Sequence, residues 1–185
     1  MEGVISLPYY EYDVINKILK YMPKSKGYSI FIPTSRQQRA IDFVILNERN
    51  NKILKVQVKG SRSYIHNKSK SFRFSFWFNN FIEKYKENDA DIYILYGMYP
   101  YFKRGKKVNS KNKMWNSFLL IFNQKEMFKL LSNVKTKKEK KMDKFFGISF
   151  NEAEKVFVTR GFEKPCNVSE HLLENYINKI KKMIK

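Results

Sequence analysis

Apolar residues recur at helical spacing over "YYEYDVINKILKYM", residues 9–22, where Val14, Ile15, Ile18, Leu19 and Met22 form one stripe. Pro23 and Gly27 end that helix. The pattern then changes period. "YSIFIP" at 28–33 predicts a short strand closed by Pro33, "AIDFVIL" at 40–46 a strand buried on both faces, and "KILKVQVK" at 52–59 a third. Short polar links join them, so an antiparallel meander is expected. Gly60 is expected to break the third strand into a polar turn, "GSRSY" at 60–64. "SFRFSFWF" at 71–78 alternates as a strand, or as a strand running into a helix, and Phe78, Phe81, Ile82 and Tyr85 predict a helix over 78–88.

"ADIYILYG" at 90–97 and "SFLLIF" at 117–122 predict two buried strands around a basic loop at 102–113. Asn123, with Glu126 three residues on, has the form of a capping box for a helix through Met127, Leu130, Leu131 and Val134. The charge run at 135–144 reads as a solvated, mobile segment. "FFGISF" and "KVFVTRGF" predict two more strands or a hairpin, and Ser169 a cap for a last helix bearing Leu172, Leu173, Tyr176, Ile177, Ile180 and Met183. The order predicts a mixed α/β (α+β) domain around one central sheet. Residues 1–185 are expected to form a single domain, with a core over 9–97 and a C-terminal elaboration of strands and helices over 100–185.

Composition sharpens this picture. The chain is 43% hydrophobic and 16% aromatic, enough for a real core, yet it carries 37 Lys+Arg against 17 Asp+Glu, a formal net charge of +20. A polyanion relieves that self-repulsion, and nucleic acid is the commonest one. Lysine and asparagine bias from an AT-rich genome is the plainer source of part of the excess. One cysteine, Cys166, excludes an internal disulfide and is expected to be structural; with only His66 and His171 beside it, a Cys/His zinc site is excluded too. The start "MEGVISLPYY" lacks the basic and apolar regions of a signal peptide, and no stretch approaches a membrane span. The expectation is a soluble, intracellular (cytoplasmic) protein without membrane partners.

The residues that suggest chemistry lie on the second and third strands. Gln57 and Lys59 share a strand face, Val56 and Val58 take the other, and pairing through the turn at 47–51 brings Asp42 beside 56–59. A carboxylate, the Gln57 amide oxygen and a strand carbonyl at Val58 are oxygen donors of the kind Mg²⁺ takes. Lys59 can position water and counter charge on a phosphate. Glu11 falls in line with Ile15, Ile18 and Met22 at the edge of the buried stripe: a second metal-binding carboxylate, or an acid placed on the helix dipole. Asp13 is expected on the solvated side with Lys17 and Lys20.

Asp42…Gln57-Val58-Lys59, behind a Glu11-bearing helix and ahead of a helix and buried strand, resembles the PD-(D/E)XK nuclease superfamily in a QxK form, with Ile41 where the motif has proline. The resemblance covers about residues 9–97. It implies a restriction-endonuclease-like αβββαβ core around a central mixed sheet, and a Mg²⁺-dependent DNA endonuclease in which Mn²⁺ substitutes. It further implies metal binding at Asp42, Gln57 and the first-helix acid, and a catalytic Lys59. Restriction, resolvase and transposition endonucleases share such a core, and cutting both strands calls for a homodimer. The alternative is a catalytically inactive basic DNA-binding or assembly subunit of a DNA-processing complex.

DNA contacts are expected from Arg36, Arg39, Ser61 and Arg62 around the site, and from Lys103, Arg104, Lys106 and Lys107 in the basic loop. Arg62 reads equally as an ordinary turn cation, His66 as a bystander, and Trp77 and the phenylalanines as core.

Overall fold

A computed structural model describes residues 9–33, 41–61, 63–65, 74–85, 90–100, 115–150 and 155–185. The fold is mixed α/β, and the described residues form four α-helices and two five-stranded sheets. The helices are α1 (Tyr9–Tyr21), α2 (Ile82–Tyr85), α3 (Gln124–Ser132) and α4 (Leu173–Met183). The first sheet runs β1 (Tyr28–Phe31), β2 (Phe43–Asn47), β3 (Lys52–Ser61), β6 (Ile92–Pro100), β7 (Trp115–Asn123). The second runs β10 (Cys166–Asn167), β9 (Val156–Arg160), β8 (Phe145–Phe150), β5 (Phe74–Asn79), β4 (Ser63–Ile65).

β1, β2 and β3 form the expected antiparallel meander, while β6 pairs with β3 in parallel after a crossover through β4, β5 and α2. The order α1, β1–β3, α2, β6 traces an αβββαβ path, with β4 and β5 inserted. Strand β3 therefore lies mid-sheet, paired on both sides, and its alternation sorts side chains between two cores. Val56 and Val58 join Val14, Ile18, Phe43, Ile94, Tyr176 and Ile180 beneath α1 and α4. On the other face Tyr93 and Leu95 join Phe76, Phe78, Leu131 and Phe146, between the first sheet and the second with α3.

The two sheets pack closely at Gly97. A Cβ there would lie 2.3 Å from the Phe118 ring and 2.6 Å from that of Phe76. Those two rings make an edge-on pair with centroids 4.6 Å apart.

Several expectations are corrected. Gly60 does not turn the chain: β3 runs through it to Ser61 because Tyr10 of α1 covers the position, 3.0 Å from where a Cβ would stand. The predicted 78–88 helix reduces, among the described residues, to Ile82–Tyr85, because β5 continues to Asn79. The 135–144 run is solvated as expected, with all its side chains but Thr136 and Asp143 exposed, but its backbone is hydrogen-bonded: Lys135 N donates to Gly161 O at 2.8 Å, Thr136 N to Lys141 O at 2.7 Å, and Asp143 is buried against Arg160. Ser169 opens a 3₁₀ turn, Ser169–His171, and its Oγ accepts from Val156 N at 2.9 Å instead of capping α4. The capping box at Asn123 and Glu126 forms as expected. Cys166 is exposed, and among the described residues no helix is long and apolar enough to cross a membrane.

Candidate active site

Asp42 sits one residue before β2, where the meander brings the chain back alongside β3. Its backbone N donates to Val56 O at 2.9 Å, and its Oδ2 accepts from Val58 N at 2.6 Å. The Phe43–Val56 register, continued one step, sets Asp42 opposite Gln57. Phe43 points into the α1 core, so Asp42 takes the opposite face, with Gln57 and Lys59.

Gln57 is buried, with 6% of its surface exposed, beside Tyr93 of β6. Lys59 is half-buried, with its Nζ 5.6 Å from the centroid of the Phe81 ring. Burial holds its ammonium below the ordinary lysine value; Asp42 opposes that shift by favouring the cation, and Lys84 adds to it by repulsion. A carboxylate, an amide and an electrostatically coupled lysine thus share one end of the sheet, as the sequence predicts.

Glu11 is 4% exposed in the first turn of α1. Its neighbour Tyr10 stands over Gly60, which places this turn at the Lys59 end of β3. The helix, however, packs on the Val56 and Val58 face, the side opposite Gln57 and Lys59. Among the described residues no group of three His, Cys, Asp or Glu gathers. The oxygen donors of Asp42, Gln57 and Glu11 are of the kind a hard cation that keeps much of its water shell takes; Gln57 and Glu11 are buried and Asp42 is part-buried. They do not suit a soft-ligand metal.

Asp13 departs from its predicted exposure. Its Oδ2 accepts from Ser117 Oγ at 2.6 Å and from the Tyr96 hydroxyl at 2.9 Å, pinning α1 to β6 and β7. Burial, with help from Asp13, pushes the Tyr96 phenol well above its usual range. A cleft of about 490 Å³ opens at the end of β3, walled by Tyr9, Tyr10, Gly60, Ser61, Tyr96 and Met98. That is room for a nucleotide-sized group. Sequence reasoning missed Tyr10 and Tyr96; the one available signal was a glycine inside a strand, which marks close approach by another group.

Ser61 is bound from both directions to β5: its Oγ donates to Trp77 O at 2.8 Å and accepts from Trp77 N at 2.9 Å. Trp77 is 42% exposed on the outer face, a correction to its expected place in the core; Phe74, Phe76 and Phe78 point inward. Arg36, Arg39, Arg62, His66, Lys103, Arg104, Lys106 and Lys107 lie outside the described residues.

No protein-family model matches the chain, and no curated protein does. Among solved structures, it is similar to one titled the structure of a bacterial homing endonuclease, I-Ssp6803I. The likeness has 14% identity and a TM-score of 0.35, over 92% of this chain and 90% of that one. A likeness this loose carries no weight for the site.

Proposed function

We propose that this chain is a Mg²⁺-dependent DNA endonuclease of the PD-(D/E)XK type in its QxK form. The observation that supports this most is the Asp42 carboxylate held on Val58 N at 2.6 Å, opposite a buried Gln57 and coupled to Lys59. Asp42, Gln57 and the Val58 carbonyl would hold the cation from one face of β3, and Glu11, on the helix across the sheet, would join them only by reaching past the strand end at Gly60. When bound, it supplies an acidified water and offsets charge on the phosphate. The protein's own part is to fix and screen. The clamp on Val58 N sets the carboxylate. Lys59 presents a positive charge to the phosphate and orients the attacking water. The apolar walls of Phe81 and Tyr93 limit the water that would screen that charge.

Plasmid cleavage with Mg²⁺ or Mn²⁺ tests the reading. Asp42→Ala and Lys59→Ala are each expected to lower the rate by about a hundredfold or more. Equal cleavage by all three proteins, or none by the wild type, defeats it.

A basic DNA-binding subunit without cleavage is the second reading. It is supported by the shortage of carboxylates, with Gln57 where the motif has an acid.

A further inference from the structure

The outer face of the second sheet carries a row of side chains that the site does not use. Trp77 of β5 pairs with Gly147 of β8, and Gly147 pairs with Arg160 of β9. The glycine matters: a Cβ there would stand 3.0 Å from the Cβ of Arg160. With no side chain between them, the Arg160 guanidinium crosses β8 and stacks 4.6 Å above the Trp77 ring. Tyr64 meets the same ring edge-on at 6.3 Å, and Tyr64, Trp77 and Phe145 are 54%, 42% and 41% exposed. Asp143 holds the other side of Arg160, accepting from Nε at 3.1 Å and from one terminal nitrogen at 3.3 Å.

Beyond Arg160 lies a cleft of about 560 Å³, walled by Lys135, Thr136, Lys137, Lys138, Asp143 and Arg160 among others. Asp143 is satisfied by Arg160, and Glu139 by Lys141 at 3.2 Å. Among the described residues no carboxylate pairs with Lys135, Lys137 or Lys138. The Thr136 hydroxyl is buried there with no hydrogen-bond partner among the described residues. Excess positive charge and an adjoining exposed ring form a surface complementary to a phosphodiester strand.

We propose that this face is a second DNA contact, in which the Lys135, Lys137 and Lys138 cleft takes backbone phosphates and the Trp77 ring, braced by Arg160, packs on the adjoining nucleotide. This rests on the nucleic-acid part of the proposed function and not on cleavage. Because Ser61 is bonded to Trp77, the contact begins where β3 leaves the catalytic end.

The test is binding of a labelled DNA duplex in EDTA, as a function of salt. Lys135→Glu/Lys137→Glu/Lys138→Glu is compared with Lys181→Glu/Lys182→Glu/Lys185→Glu, an equal charge change at the α4 end of the opposite layer. The cleft variant is expected to bind at least about tenfold more weakly and to lose roughly two to three units of slope in log K against log salt. The α4 variant is expected to keep most of the wild-type slope. Equal losses in both variants, an unchanged slope in the cleft variant, or no binding by the wild type overturns the proposal. DNA is expected to quench tryptophan emission in the wild type and much less in Trp77→Phe; equal quenching overturns the stacking contact. A protein that shows the cleft-specific slope but cuts nothing keeps this inference and discards the nuclease, and one that cuts with an unchanged slope does the reverse.

Discussion

At the scale of single residues, Asp42 and Lys59 can each be separated into a structural part and a chemical one. Asp42 accepts Val58 N, and an asparagine there can still accept that bond. Asp42→Asn is therefore expected to keep stability within about 1 kcal/mol while removing cleavage, whereas Asp42→Ala also loses about 1–3 kcal/mol through the orphaned amide. Urea unfolding beside a cleavage assay separates the two. Lys59 has the opposite balance. Its folded pKa lies below the ordinary 10.5, so the unfolded chain holds the proton more tightly. Stability is therefore reduced at neutral pH, and the cost fades as pH rises through the folded value towards 10.5. Lys59→Met is expected to raise Tm by about 1–3 °C while abolishing activity. If the ammonium acts as a cation, the wild-type rate falls on the alkaline side at a lower pH than an ordinary lysine would give. A melting curve that drops in Lys59→Met contradicts this account.

At the scale of elements, two joints set the frame. The capping box at the start of α3 also reaches α4: Glu126 accepts from the Asn123 amide at 2.9 Å, from the Tyr176 hydroxyl and from Lys179. Burial works to raise the Glu126 pKa, but the bonds from Lys179, Tyr176 and Asn123 outweigh it and hold it below 4.5. The sign follows: Glu126 contributes stability above pH 4.5 that is lost as pH falls through its folded value. Glu126→Gln is expected to be less stable at pH 7 and to show a shallower loss in acid, as read by thermal melts across pH. The second joint is Tyr10 over Gly60. Gly60→Val drives a side chain into that ring and shifts the first turn of α1, which carries Glu11. Cleavage is expected to fall, and Tyr10→Ala to restore part of the lost stability; strictly additive costs would argue against the contact.

At the scale of the molecule, both cores are built on the same sheet, so they are expected to unfold as one domain. Gly97 sits where the two sheets pack together, in the core they share. Gly97→Ala places a methyl inside two aromatic rings and is expected to cost about 1–3 kcal/mol or more, lowering the urea midpoint in a single transition. Two separated transitions, by tryptophan emission and by far-ultraviolet circular dichroism, would mean that the layers are independent.

Local chemistry determined much of this protein. The stripe of α1, the meander of β1 to β3, the capping box at Asn123 and the alternation of Val56, Gln57, Val58 and Lys59 all depend on neighbours within a few residues. Those are the interactions a sequence displays directly. So the face shared by Gln57 and Lys59, with Asp42 across from them, was legible before any fold was known. What only the tertiary structure decided depends on contacts far apart in the chain. Gly60 stays in a strand because Tyr10 covers it from fifty residues away. The alternation already sets Trp77 opposite Phe74, Phe76 and Phe78, but that this second face lies outside both cores was decided by the packing of the two sheets. Asp13 turns inward because Tyr96 and Ser117 offer it hydroxyls, and Arg160 reaches Trp77 because Gly147 leaves room. Period and propensity carry no trace of such long-range packing, which is why the second sheet's outer face appears only in three dimensions.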